Sequence, residues 1–139
     1  MTNEVFLDTG YTIALSVESD EHHKRAVELA EQLEAEQTRL ITTRAILLET
    51  GNALSKERYR KSAIELLVAL EEDPLVEIVP LSEELFAKAF NLFSNRTDKE
   101  WGLVDCVSFI VMRERGLTEA LTPDKHYEQA GFRALLRAE

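Results

Sequence analysis

Cysteine is almost absent from this sequence. Cys106 stands alone inside an apolar run, so no intramolecular disulfide is possible, and one cysteine with three scattered histidines lacks the spacing of a structural zinc site. Glycine and proline are also few, five and three, and no linker, repeat or low-complexity segment interrupts the chain. No apolar run reaches the roughly 20 residues that a bilayer-spanning helix needs. The start, MTNEVFLDTG, lacks the basic segment and small-residue cleavage site of a signal peptide, so the expectation is a cytoplasmic protein with no membrane attachment. Missing too are a GxGxxG or P-loop for nucleotides and a GxSxG for acyl transfer.

Positive charge is in deficit. Sixteen basic residues stand against twenty-six acidic ones, a net charge of -10, which argues against nonspecific binding to a nucleic-acid backbone. The deficit is uneven: residues 44–61 carry Arg44, Lys56, Arg58, Arg60 and Lys61 against only Glu49 and Glu57. This cationic strip is either a solvated helix face or a local contact for an anion.

What the chain does have is 45% hydrophobic residues in 139, enough for one core, so residues 1–139 are expected to form a single domain. Short apolar runs at 5–7, 40–43, 76–79 and 120–122 read as strands, with a last one over 132–136. Between them lie helical patterns: YTIALSV, about 20–37 with Asp20 suited to cap its start, 44–56, about 60–72, 82–91, and the stretch WGLVDCVSFIVM running on to Gly116. Strands alternating with helices predict an α/β fold, a three-layer sandwich around a mainly parallel sheet.

In such a sheet, functional groups gather beyond the carboxyl ends of the strands. Four acids have suitable addresses. Asp8 ends the first strand, Glu49 lies inside the helix after the second, Asp105 opens a helix, and Asp124 follows the strand ending at Thr122. Each has a plainer explanation: Asp8 and Asp124 could cap helices, Asp105 could favour the positive end of its helix by about 0.3 to 1 kcal/mol, and Glu49 could lie on a helix surface. Together they would suit a hard divalent cation, which takes carboxylate and water oxygens.

The segments VFLDTGYTIAL, ILLETGNAL, DKEWGLVDCVSFIVMRERGLTEALT and PDKHYEQAGF, in this order, resemble the PIN-domain ribonucleases, particularly the VapC-type toxins of type II toxin/antitoxin systems. The resemblance spans nearly the whole chain, and its last two segments are the most specific. It implies a PIN-like α/β/α domain in which Asp8, Glu49, Asp105 and Asp124 form an acidic pocket for Mg2+ or Mn2+, with metal-assisted hydrolysis of RNA phosphodiester bonds. Asp8 and Asp105 would be ligands, Glu49 would hold coordinated water or move a proton, and Asp124 would complete the set. Thr9, Asn52 and Thr122 would support the acids by hydrogen bonding or serve only the local backbone. Crowded carboxylates without metal should push at least one of them toward protonation.

Arg44, Lys56 and Arg58, with Arg60 and Lys61, are expected to flank the pocket and attract RNA. His126 matches the family's Asp-x-His pattern, His22 and His23 read as ordinary surface residues, and Asp98 as a peripheral acid. The resemblance also implies a cognate antitoxin whose basic segment enters the pocket, and a homodimer.

The sequence departs from the family at Gly10, where a serine or asparagine is usual, and at Gly102 and Val104, where a serine and a threonine are usual. These changes remove hydroxyl groups beside two acids but no carboxylate. A haloacid-dehalogenase-type phosphatase needs a second aspartate where Gly10 stands. The alternative of another class is a noncatalytic or weakly active PIN-like module that binds RNA or protein.

Overall fold

A computed structural model describes residues 2–137. Its five strands are β1 (Glu4–Leu7), β2 (Arg39–Thr43), β3 (Val76–Val79), β4 (Glu119–Leu121) and β5 (Arg133–Ala134). Seven helices are interleaved: α1 (Thr9–Ser16), α2 (His23–Glu36), α3 (Arg44–Ala53), α4 (Glu57–Glu72), α5 (Glu83–Asn95), α6 (Leu103–Arg115) and α7 (Lys125–Gln129). The strands form one sheet in the order β3-β2-β1-β4-β5, and every pairing is parallel.

The central strand is the most apolar. Val5, Phe6 and Leu7 are fully buried, as expected of a strand covered on both faces. From β1 the chain steps outward to β2 and β3, then returns past β1 to β4 and β5. Right-handed crossovers therefore send α1 to α4 to one face and α5 to α7 to the other. The reversal falls between β1 and β4, and a crevice opens there at the strands' carboxyl ends.

Helix α6 is held mainly by its apolar face. Cys106, Val107, Phe109, Val111 and Met112 are buried, and each large one contributes about 1.5 to 3 kcal/mol. The ring of Phe109 meets Trp101 and Tyr127 edge-on, both at 5.0 Å between centroids, which fixes the starts of α6 and α7 against one another. Gly116, with φ 66°, ends the helix in the left-handed conformation that its lack of a Cβ permits.

Several boundaries differ from expectation. Helix α3 stops at Ala53 and α4 starts at Glu57, while α5 continues to Asn95. Asp20 does not cap α2: its Oδ1 accepts from the backbone N–H of His22, and His22 is the cap residue. The carboxylate closes the preceding turn instead. The last strand is only Arg133–Ala134, because Leu136 already turns to donate its N–H to the Thr122 carbonyl.

Candidate active site

Asp8, Glu49, Asp105 and Asp124 line one open cleft of about 770 Å³, together with Thr9, Gly10, His126 and Arg137. Asp8 is the residue that caps α1, yet its side chain makes no cap hydrogen bond. The carboxylate turns toward β4, where its Oδ2 accepts a 2.7 Å bond from the Thr122 hydroxyl. The same Thr122 oxygen accepts from the backbone N–H of Asp124 at 3.1 Å, so one hydroxyl ties two acids to the strand end.

Asp105 sits in the first turn of α6 and accepts from the backbone N–H of Gly102 at 3.1 Å. This is one half of a capping box; the other, a side chain at residue 102 accepting from the Asp105 N–H, is missing because Gly102 has no side chain. Gly102 has an ordinary extended backbone, and a Cβ there would meet nothing nearer than Asp105 Oδ2 at 3.9 Å. Asp124 caps α7 by accepting from the His126 N–H at 2.9 Å. Its cap role and its place in the cleft coexist.

Glu49 accepts a short hydrogen bond from the Thr9 hydroxyl. Below this pair, the Thr12 and Thr50 hydroxyls are 2.8 Å apart and Thr42 donates to the Leu7 carbonyl at 2.9 Å. Buried threonines thus satisfy one another and the backbone beneath the acids. Asn52, by contrast, is exposed one turn beyond Glu49 and does not line the cleft.

Burial raises the Asp8 pKa from the usual carboxylate value to about 6, despite the Thr122 bond that favours its charged form. Asp105 is raised as well, first by desolvation and further by the charge of Asp124, while Gly102 and His126 oppose the shift. The direction agrees with crowding, but loss of water is the larger cause for both. The Tyr127 hydroxyl is wholly buried beside Asp8 and Ser108, close to both but with no well-formed hydrogen bond among the described residues.

The cationic strip does not line the cleft. Arg44 is ion-paired with Glu71, Arg58 covers the Tyr59 ring at 4.7 Å, and Arg60 donates to the Ser55 carbonyl. Helix α3 carries Lys56 and its neighbours away from the strand ends, at 1.5 Å per residue. The arginine that does line the cleft is Arg137, whose Nε donates to Glu128 at 3.0 Å and whose guanidinium reaches the Pro123 carbonyl at 3.4 Å.

His22 lines the rim, with Asp20 and Glu21, while His23 is tied to the Ala14 carbonyl at 2.7 Å. Asp98 pairs with Arg96 and is not among the lining residues. Neither Arg137 nor His22 carried a sequence signal, since both arrive through tertiary packing.

Asp105, Asp124 and His126 present three donor atoms that all lie within 4.8 Å of one another. Two carboxylates and an imidazole can hold a divalent cation, and Asp8 and Glu49 line the same cleft.

Comparison with known proteins agrees with this fold. The profile of the PIN domain family matches residues 5–133. The 23S rRNA-specific endonuclease VapC20 of Mycobacterium tuberculosis is 26% identical over 128 residues, covering 92% of this chain and 95% of the relative. The crystal structure of VapC20, described as a Sarcin-Ricin loop cleaving toxin, superposes with a TM-score of 0.80 over the same shares of the two chains. The crystal structure of FitAcB from Neisseria gonorrhoeae, at 20% identity, covers 94% of each chain with a TM-score of 0.65 and shares the fold.

Proposed function

The chain belongs to the PIN-domain family, and from that premise we propose that it is a divalent-metal-dependent endoribonuclease, the toxin of a toxin/antitoxin pair. The observation that carries this reading is the meeting of Asp8, Glu49, Asp105 and Asp124 in one cleft at the reversal of strand order. Four acids from four separate segments have no shared structural duty. The relatives' activity on 23S rRNA makes a structured ribosomal RNA the first substrate to test.

The donor set fits Mg2+ or Mn2+: carboxylate oxygens dominate it, and desolvation that raises Asp8 and Asp105 favours any partner that restores their charged forms. When bound, such an ion would lower the pKa of water and neutralise charge on the scissile phosphate. Asp8, Asp105 and Asp124 would hold it, and Glu49, oriented by Thr9, would take the proton of the attacking water. Thr122 would keep the Asp8 and Asp124 carboxylates in register.

Arg137 is the inner contact for the RNA backbone in this reading, with Lys56 and Arg58 as outer contacts and Arg44 committed to Glu71. A net charge of -10 suits a basic antitoxin segment that enters the same cleft. The active unit would be a homodimer of single-domain chains acting in the cytoplasm. No helix among the described residues is long and apolar enough to cross a membrane.

The test is incubation of the purified chain with structured RNAs under Mg2+, Mn2+ or chelator, beside Asp8→Asn and Asp105→Asn. Metal-dependent cleavage lost in both variants is the expected result. Cleavage absent throughout while RNA or protein binding persists would instead make the chain a noncatalytic module.

A further inference from the structure

The sequence expectation made the metal site all-carboxylate, but the imidazole of His126 stands among the donors. Its Nδ1 lies 3.1 Å from Asp105 Oδ2 and 3.4 Å from Asp124 Oδ1. Adjacent ligand atoms of a six-coordinate ion with bonds near 2.1 Å are about 3 Å apart, so these spacings match two edges of such a shell. A proton cannot serve the trio as well. A neutral imidazole donates one proton from Nδ1, so each carboxylate keeps only its single backbone N–H donor plus, at most, a share of that proton.

A second, independent feature lies buried beside Asp8, one of the acids of the cleft. Tyr127, the residue after His126, buries its hydroxyl completely there with no well-formed hydrogen bond among the described residues. Such a donor is costly unless a water or an anionic group belonging to the bound state comes within reach.

Resting on the nuclease reading, we infer that His126 Nδ1 is a direct ligand of the divalent ion, and that the site therefore selects Mn2+ over Mg2+. Mg2+ holds to oxygen donors and keeps its waters, whereas Mn2+ lies further along the affinity series for nitrogen. His126 stands where a half-buried imidazole is fixed by its own backbone, because its N–H is anchored on Asp124 Oδ1 at 2.9 Å. The ring reaches the trio without a change of fold.

Pulsed electron paramagnetic resonance of Mn2+ bound to the full chain tests this directly. The expected spectrum shows coupling to one imidazole nitrogen, lost in His126→Gln and retained in His22→Gln, the control for the other histidine on the rim. Titration should show Mn2+ affinity falling about ten-fold or more in His126→Gln, with Mg2+ affinity changed less than about two-fold. Bound Mn2+ without nitrogen coupling, or coupling that survives His126→Gln, overturns the assignment even if RNA is still cut. Failure of the wild-type chain both to bind Mn2+ and to cleave RNA overturns the nuclease reading together with it. If His126→Gln does not fold, the wild-type and His22→Gln spectra decide: coupling kept in both supports His126, and coupling absent from the wild type or lost in His22→Gln overturns the assignment.

Discussion

The hydroxyl of Thr122 donates a 2.7 Å hydrogen bond to Asp8 Oδ2, joining the ends of two adjacent parallel strands whose residues lie 114 apart in the chain. A bond to a charged acceptor contributes about 1.5 to 3 kcal/mol, and here it favours the ionised form of a buried acid. Thr122→Val should raise the Asp8 midpoint from about 6 by about one unit or more. Carboxyl-carbon NMR titration of the metal-free protein measures it. An unmoved midpoint would show that Thr122 does not set the charge of Asp8.

Asp8 also ties stability to pH. Its folded pKa, about 6, lies above the ordinary 3.8, so the folded state binds a proton more readily than the unfolded one. The associated stability is fully present below about pH 4 and is lost as pH rises through 6, by roughly 3 kcal/mol. In chelator, Asp8→Asn should flatten this fall and be more stable than the wild type at pH 7.5, while losing RNA cleavage. Denaturant unfolding at several pH values checks it, and parallel profiles for the two proteins would contradict it.

Gly10 is where a missing hydroxyl was read from the sequence, but space governs the position. A Cβ built there would lie 2.4 Å from Cδ of Pro123, part of a rigid ring immediately before Asp124. Gly10→Ala should therefore destabilise by about 1 to 3 kcal/mol. Removing the ring in Gly10→Ala/Pro123→Ala should recover most of that loss, with a coupling of about 1 kcal/mol or more. Additive effects in the double-mutant cycle would show that the two residues do not interact.

Arg137 lines the acidic cleft, whereas Lys56 and Arg58 do not. Arg137→Gln should weaken RNA binding and reduce its salt slope by about one, with little change in melting temperature, because its exposed pair with Glu128 contributes little to stability. Binding is measured across salt concentrations in an Asp105→Asn background, which prevents cleavage. An unchanged slope would remove Arg137 from the RNA contact.

Much of the fold was legible because the signals were local. Val5, Phe6 and Leu7 form an apolar run ended by Asp8-Thr9-Gly10, β3 is closed by Pro80 and β4 by Thr122-Pro123-Asp124, while β2 is marked only by its own β-branched run Ile41-Thr42-Thr43. Helix edges were less legible. The start of α4, ERYRK, has good helix formers but no apolar period until Ala63, and the end of α5 places Phe90 and Phe93 on a half-exposed stripe.

Asp8 and Asp124 were visible because strand ends announce themselves in sequence, Asp105 because it opens an apolar helix, and Glu49, inside α3, stood out only in company with the other three. Arg137 was not visible, since it enters the cleft only through the β4–β5 pairing and the Leu136 bond to Thr122. His22 entered through the turn closed by Asp20. The missing hydroxyl at Gly102 does leave α6 without a side-chain cap, and Asp105 supplies only the reciprocal bond from the Gly102 N–H.

The place of β1 between β2 and β4 also orders events during synthesis. A growing chain that has reached Glu49 contains the residues of β1 and β2, but Asp8 still lacks the strand that brings Thr122, and Asp105 and Asp124 have yet to be made. The chemistry is thus the last thing the polypeptide acquires. An unfinished chain therefore has no assembled acid cluster until Asp124 has been made and β4 has docked.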